Sequence, residues 1–528
     1  MLKQILLKNF KSYRDQVLPL APLTLMIGAN ASGKSNAIEA FRVLSWFSTG
    51  ERLAVIQQRM DDASGGLRGR ALHLGYFGAT QFSLGCILNE ADFIADEQAF
   101  AAKWKRTQSG VGRDLLEYEM LPHQAWTRLD VTLSLNGGNL HVLQETITSP
   151  TQNKPLYAIT KPAAIGFSDV GVEYNNFDEG IEDTPQLMCS NQMALMSQLN
   201  SRAAFYRSHD IAQYEIPQAI NYLRSFLQLT QFLHLEPALM RADSYPDTAL
   251  RSNGANLAGV LYTLWQHEAN RDTLLAFIRS VPEHDVSDLC FFPDRRGLIS
   301  FELVEKKQDK QVSDHMFNLP DIDLKKLNEL FAKEVFLDVV PFKKSPEAIN
   351  NRVNEYWQPR FSYENDGTTH IVQRGCPAEL LSDGTLRVLA IAAAILSAPV
   401  GSTVVIEEID NGVHPSRARH LLTTMQKYAT QRNVHLLLTT HNPALMDALP
   451  DLALGDVVFC YRDPQQGDSR LVRLSDLPDY VELIVRGTLG DLVTEGIIDR
   501  FVKCPTTPEA QKQKALDWLA RLQQDNEA

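Results

Sequence analysis

Sulfur, basic charge and long apolar runs are all scarce in this chain, and each scarcity excludes something. The 528 residues contain six cysteines (Cys86, Cys189, Cys290, Cys376, Cys460, Cys504), with no CxxC pair and no neighbouring histidine cluster. That argues against a disulfide scaffold or a structural zinc site and makes a reducing cytoplasm the expected setting. Lys and Arg number 51 against 64 Asp and Glu, for a net charge of −13. Such a balance excludes a uniformly basic nucleic-acid coat, while leaving room for a local basic groove. The longest apolar run, Val388 to Val400, is too short to span a bilayer, and the opening MLKQILLKNFKSY lacks the apolar stretch of a secretory leader. No membrane association is expected. Prolines and aromatics also break any sustained heptad pattern, which excludes a long coiled-coil arm. At roughly 150 residues per domain, the length predicts about three modules, or one large body with insertions.

What is present reads first as strand, turn and strand: Leu2 to Phe10, Val17 to Leu20, then the buried-looking run Leu23 to Ile27. A Gly-bounded loop, Gly28 to Ser35, follows. Ile38, Phe41, Leu44 and Phe47 then recur at helical spacing. His73 to Leu88 reads as strand and Glu90 to Trp104 as polar helix. Trp126 to Leu135 and Asn139 to Ile147 flank Asn136-Gly137-Gly138 as a hairpin. Leu187 to Leu235 and Asn256 to Ile278 look helical, with Pro217 and Pro237 as interruptions. Strands are expected at Leu289 to Phe292, Gly297 to Val304 and His370 to Gln373, with a helix at Leu324 to Phe336 between the last two. Helix Thr385 to Leu396, strand Thr403 to Glu407, helix Pro415 to Thr430 and strand His435 to Thr439 then alternate, which predicts a parallel sheet. Thr507 to Gln524 reads as a charged terminal helix.

Four segments carry chemistry. Gly28-Ala29-Asn30-Ala31-Ser32-Gly33-Lys34-Ser35 fits GxxxxGK[ST] between a strand and an amphipathic helix. Its glycines let main-chain N–H groups wrap phosphate, Lys34 reaches the β/γ-phosphates, and Ser35 ligates Mg²⁺. Thr403 to Glu408 is an apolar strand ending in two acids. Glu407 suits the metal's water shell, and Glu408 suits orienting or deprotonating a water. Glu407 stands where most proteins with this loop carry Asp. Leu381-Ser382-Asp383-Gly384-Thr385 opens an apolar helix with a second anion cradle, or an ordinary helix cap. Leu436 to Pro443 is a strand that delivers His441 to the sheet edge, where an imidazole could sense the γ-phosphate.

These segments, in this order, resemble the ATP-binding-cassette heads of the SMC/RecF family. More closely they resemble the OLD-type heads of bacterial anti-phage systems, such as the Septu and retron PtuA ATPases and the PARIS ATPase. The resemblance rests on Asn9-Phe10-Lys11-Ser12-Tyr13, GANASGKSN, LLSDGTLR, VVIEEIDNGVHP and LLLTTHNP, with Arg241 and Arg251 to Leu257 in support. It implies an α/β fold, an ABC-type P-loop ATPase head with a parallel core sheet plus an antiparallel sheet, a helical insertion and no long coiled coil. The expected division is 1–175 and 285–480 for the two halves of the head, 176–284 for the insertion and 481–528 for a helical tail.

The resemblance also implies ATP and Mg²⁺ as cofactors, with Gly28, Asn30, Ser32, Gly33, Lys34, Ser35 and Asn36 on the nucleotide. Ser382 and Gly384 would complete the pocket from a partner subunit, and Asp410, a nucleotide-site residue, would form with Asn411 the D-loop that communicates across the interface. Ser35 and Glu407 would serve the metal, and Glu408 and His441 catalysis; His414-Pro415 resembles a structural turn. A homodimer or higher even oligomer is implied, with slow hydrolysis compatible with a sensor. The implied partners are an effector protein (an HNH or Toprim nuclease, or a toxin) and nucleic acid. For the Q-loop, Gln57, Gln58 and Gln81 remain open. A Toprim module opening at Glu495 would lack the length and the DxD it needs, and no HNH or zinc cluster can be assembled. Pro293-Asp294…Glu305-Lys306-Lys307 has the form PD…ExK but reads better as a solvated strand end. Lys325-Lys326 and Lys343-Lys344 read as a solvated face. Two other readings stand beside the defence ATPase: a RecF-like DNA clamp, and a nuclease using Asp294, Glu305 and Lys307.

Overall fold

Leu23–Ile27 is buried at all five positions, as a strand covered on both faces must be. The computed structural model describes residues 1–61, 67–90, 125–136, 138–164, 166–177, 185–279, 286–305, 375–410, 415–477 and 480–503. Two compact units are formed, one from Met1–Phe232, Ala398–Asp410 and Ala429–Ala528, the other from Leu233–Ser397 and Asn411–Tyr428.

The first unit contains two large sheets. β1 (Leu2–Phe10), β2 (Tyr13–Pro19), β4 (Gln81–Leu88), β5 (Arg128–Asn136) and β6 (Asn139–Thr148) form an antiparallel sheet in the order β2-β1-β4-β5-β6. β3 (Leu23–Ile27) lies in the other sheet, with β10 (Gln231–Leu233), β14 (Thr403–Ile406), β15 (His435–Thr439), β16 (Val458–Arg462) and β17 (Ser469–Arg473). Its order is β10-β14-β15-β3-β16-β17, and β14, β15, β3 and β16 run parallel. Leu438 faces Ile406 on one side and Leu25 on the other, so β14, β15 and β3 end at one edge of the sheet. The carboxyl edge of a parallel sheet is where ligands bind.

Helix Lys34–Ser48 turns Ala37, Ile38, Phe41, Leu44 and Phe47 inward, one face of a 3.6-residue repeat. It ends at Gly50, whose φ of 82° suits a residue just past a helix end. Arg224 Nε and Gln228 Nε2 each donate to Ser48 O at 2.8 Å, and so satisfy a last-turn carbonyl. Their helix, Asp210–Gln228, runs straight through Pro217, against the expected interruption. Its buried face (Ala212, Ile216, Ala219, Ile220, Leu223, Leu227) outweighs the one ladder bond that proline removes. At 19 residues it is the longest helix among the described residues.

Three other expectations are corrected. The span Leu187 to Leu235 is not helical throughout. Gln186–Ser190 is a strand, β9, which pairs in a three-stranded sheet with β8 (Asp169–Tyr174) and β7 (Tyr157–Lys161), and Gln231–Leu233 is also strand. Short apolar runs do not distinguish strand from helix by period alone. His73 to Thr80 is not strand either, since two 3-10 turns, Ala71–His73 and Tyr76–Gly78, precede β4. Gly75 is needed there because a Cβ would lie 1.7 Å from Ala79 O. Pro237 opens the short helix Pro237–Met240 as its first residue, which is where proline is tolerated. The expected elements at Glu90 to Trp104 (all but Glu90), Leu324 to Phe336, His370 to Gln373 and Thr507 to Gln524 lie outside the described residues.

The second unit packs helix Leu257–Trp265 against the apolar helix Asp383–Ser397. It also carries the antiparallel sheet β11 (Val286–Pro293), β12 (Ile299–Glu305) and β13 (Gly375–Pro377). Among the described residues no helix is long and apolar enough to cross a membrane.

One buried carboxyl ties β6 to the segment beyond it. Glu145 accepts from Tyr157 OH at 2.7 Å and from the N–H groups of Leu195 and Met196, each at 2.6 Å. Burial pushes its pKa from 4.5 up to about 7, against the pull of those donors and of Arg224. The folded chain therefore holds this proton more tightly than the unfolded chain. The group's contribution is full below pH 4.5 and is lost as pH rises through about 7. We expect wild type to lose stability relative to Glu145→Gln across that window, by an amount on the order of 2–3 kcal/mol in urea unfolding. Parallel pH profiles for the two proteins would contradict this.

Candidate phosphate-binding site

The loop after β3 has backbone angles that only its sequence permits. Gly28 and Gly33 have φ of 143° and 123°, a region closed to most side chains. A Cβ at Gly28 would stand 2.1 Å from Cys460 O, and one at Gly33 would stand 2.4 Å from Ser469 Oγ. Ala31 takes a left-handed φ of 61°. Successive amides in such a loop form an anion-binding concavity. Lys34 folds over it, with Nζ donating to Gly28 O at 2.6 Å and Ala29 O at 3.1 Å. Burial lowers the Lys34 pKa, while the fields of Cys460, Asp410 and Glu408 raise it. Lysine and acids thus share one electrostatic site. The Ser32 hydroxyl is buried in the loop without a hydrogen-bond partner. An orphaned buried hydroxyl beside a cradle that any Cβ would fill fits a phosphate ligand. Asn30 is exposed, Ser35 is half-buried, and Asn36 Nδ2 donates to Ser12 Oγ at 2.8 Å.

At the end of β14 the two acids part. Glu407 Oε1 meets Arg42 NH2 at 3.3 Å, and that guanidinium lies 5.1 Å from the Phe232 ring centre. Glu408 is exposed and carries a left-handed φ of 51°, a strained conformation for a residue with a long side chain. Two bonds from β15 hold it there. Glu408 N donates to Thr439 Oγ1 at 2.9 Å, and Ile409 N to Thr439 O at 3.0 Å. Asp410 accepts from Thr440 Oγ1 at 2.8 Å, and its other oxygen faces His441 Nδ1 at 3.5 Å. The imidazole is 54% exposed and the Asp410 side chain 6%, so the acid anchors the ring from the protein side. Asn442 Oδ1 accepts from Ala444 N at 3.0 Å and caps the next helix.

The structure thus brings Lys34 within electrostatic reach of Glu408 and Asp410, and Asp410 against His441. Arg42 and Thr439 have no sequence signal of their own, since their roles exist only once helix Lys34–Ser48, β14 and β15 are side by side. Mg²⁺ takes few protein ligands and keeps water and phosphate oxygens. Glu408 and Asp410 at this edge supply carboxylates that fit its charge, while Glu407 is held by Arg42.

Ser382 and Gly384 lie in the second unit. Ser382 Oγ stands 2.8 Å from Thr385 Oγ1 and accepts from Thr385 N at 3.1 Å, as a helix cap does. Arg241 NH2 donates to Leu381 O at 2.9 Å and to Asp383 Oδ1 at 2.6 Å, which fixes the segment's entry. Asn256 accepts from Arg251 N at 2.8 Å and donates to Asp247 at 2.7 Å, so the Arg251 to Leu257 stretch is closed by its own asparagine. Of the Q-loop candidates, Gln57 is engaged with the β5–β6 hairpin through Gly138 O and Leu140 N. Gln58 and Gln81 are exposed. Asp294 accepts from Arg296 N and Leu298 N, each at 2.8 Å, in the turn between β11 and β12. Lys306, Lys307, Asn411 and His414 lie outside the described residues.

The core sheet and its Gly-rich loop have the arrangement of a P-loop nucleotide-binding fold, and two family models of ATPase domains match parts of the chain. One, AAA ATPase domain, matches residues 1–94. The other is an AAA domain described with the AbiEii toxin of a Type IV TA system, and it matches residues 265–447. A DNA replication and repair protein RecF from Cyanothece sp. is 49% identical over 45 residues, 8% of this chain and 12% of that protein. Among solved structures, an SMC head bound to the C-winged helix domain of ScpA aligns at TM-score 0.39 and 12% identity, covering 89% of this chain and 96% of that one. The SMC head domain from Thermotoga maritima aligns at 0.34 and 11% identity, over 89% and 98%. An SMC head with an extended coiled coil, bound to a ScpA domain and derived from Pyrococcus furiosus, aligns at 0.36 and 10% identity, over 92% and 99%. The fold assignment rests on the strand order itself.

Thr439→Val keeps the shape of the residue and removes the acceptor for Glu408 N. With Glu408 in the catalytic role the sequence resemblance implies, we expect nucleotide affinity to stay within twofold while saturated turnover falls about tenfold, the cost of misplacing such a group. Turnover equal to wild type would show that Glu408 needs no such support.

Proposed function

We propose that this chain is an ATP-binding and hydrolysing sensor or scaffold of a bacterial anti-phage defence system, which dimerises around ATP and controls a separate effector nuclease or toxin. The observation that carries the ATPase reading is the loop cradle with its orphaned Ser32 hydroxyl, facing the same edge as Glu408 and Asp410. The defence reading is supported by the motif resemblance and by the toxin–antitoxin wording attached to the family matched at 265–447.

In this reading Gly28, Asn30, Ser32, Gly33, Lys34, Ser35 and Asn36 serve the nucleotide. Lys34 exchanges its two carbonyl acceptors for phosphate oxygens. Ser35 and Glu407 hold Mg²⁺, which when bound neutralises charge between the β- and γ-phosphates. Glu408 orients or deprotonates the attacking water. His441, held on Nδ1 by Asp410, presents its other nitrogen outward to sense the γ-phosphate. Ser382 of a second copy, exposed at its helix start, closes the pocket in trans with the buried Gly384 two residues on, and so couples ATP occupancy to assembly. Asp410 communicates across that interface.

The second reading, a RecF-like DNA clamp, is favoured by the 45-residue match. It requires DNA affinity that rises with ATP and falls steeply with salt.

Three variants test the proposal. Lys34→Ala should abolish MgATP binding. Glu408→Gln should bind ATP and elute as a stable larger species in sizing chromatography. Ser382→Arg should bind ATP as wild type does but hydrolyse none. An unchanged elution volume for Glu408→Gln, or surviving turnover in Ser382→Arg, would defeat the composite pocket. ATP-dependent, salt-sensitive DNA binding by wild type, without capture of an effector, would favour the clamp.

A further inference from the structure

A loop that binds phosphate through its N–H groups must turn its carbonyls elsewhere, and three of them here have partners from outside the loop. Arg462 Nε donates to Ala31 O at 3.2 Å. Ser32 O accepts from Ser469 Oγ at 2.6 Å and from Cys460 Sγ at 3.3 Å. Gly33 O accepts from Tyr13 OH at 2.9 Å. Tyr13, Cys460 and Ser469 are each 0% exposed, and they come from β2, β16 and β17 respectively. Their polar atoms are linked to one another as well. Tyr13 OH lies 3.4 Å from Cys460 Sγ, and the Ser469 and Ser12 hydroxyls lie 2.8 Å apart. Burial raises the pKa of both the Tyr13 hydroxyl and the Cys460 thiol, which keeps each a neutral donor.

Peptide planarity converts this arrangement into aim. In a trans peptide the C=O of one residue and the N–H of the next point in opposite directions. Fixing Ser32 O therefore fixes the Gly33 N–H, and fixing Gly33 O fixes the Lys34 N–H, each on the face away from the buried donors. The packing at Gly33 is close, since a Cβ there would also stand 2.9 Å from Tyr13 OH.

We propose that Tyr13, Cys460 and Ser469 are positioning residues of the phosphate loop, which hold the Ser32 and Gly33 carbonyls so that the Gly33 and Lys34 N–H groups are aimed at a nucleotide's phosphate before it arrives. This rests on the ATP-binding reading. The clamp joins the chain's first hairpin to its late strands, so the cradle is shaped by residues more than 400 positions apart. Lys34 is the movable donor of the set, because both its acceptors belong to the loop itself.

The test uses the full chain with Tyr13→Phe and Ser469→Ala, each of which deletes one hydroxyl, and Cys460→Ala as a third variant should either fail to fold. MgATP and MgADP affinities are measured by calorimetry, apo stability by thermal unfolding, and turnover at saturating ATP. We expect Kd for both nucleotides to rise about five- to tenfold in each variant, the scale of one hydrogen bond. Saturated kcat should stay within twofold, and the apo unfolding midpoint within a few degrees. Variants that bind MgATP as tightly as wild type would overturn the proposal. So would variants whose kcat and apo midpoint collapse with Kd unchanged, since that marks a purely structural role. Wild type that binds no nucleotide would sink the ATPase reading together with this one, whereas binding wild type with indifferent variants would sink this one alone.

Discussion

At position 28 the chain has space for hydrogen and nothing larger. A Cβ there would press to 2.1 Å on Cys460 O in the neighbouring parallel strand. That contact sets how tightly the loop leaving β3 can fold against β16. Everything around the cradle follows from it: the left-handed turn at Ala31, the burial of Ser32, and the entry of helix Lys34–Ser48. A looser approach would move the loop carbonyls away from Tyr13, Cys460 and Ser469, and the amides would lose their common direction.

The acidic edge depends on a different constraint, the shared endpoint of β14 and β15. Because Ile406 and Leu438 are in register, Thr439 is the first residue of β15 past the end of β14. Its hydroxyl is thereby placed to accept the Glu408 N–H and to support an unfavourable backbone angle. Glu407, one residue earlier, projects differently and meets Arg42 on the helix that the phosphate loop launches. Two adjacent carboxylates thus acquire separate environments.

Much of this was legible in the amino-acid order. The run Leu23 to Ile27, the GxxxxGKS loop, the amphipathic helix and the late αβ alternation all appear in the structure within a residue or two. Each is a local pattern with one dominant period or one steric requirement. The misreadings fall where local pattern competes with packing. Pro217 reads as a stop yet sits within a helix because its neighbours are buried. Leu187 to Ser190 reads as helix yet pairs with Asp169–Tyr174, because a segment with only three apolar residues in a row takes its conformation from its partner. Tyr76 to Gly78 reads as strand yet turns, with Phe77 itself in a left-handed conformation that no propensity foretells.

Taken alone, the sequence determined the loop, the acids at a strand end and the parallel core, because glycine sterics and hydrophobic periodicity act over a few residues. Tertiary structure alone decided that Tyr13, Cys460 and Ser469 grip the loop carbonyls, that Arg42 meets Glu407, and that Thr439 supports Glu408. Those pairs span from 20 to 437 positions. Hydrogen bonds of about 3 Å tolerate little error, so only strands brought into register by a common core could bring such donors and acceptors together.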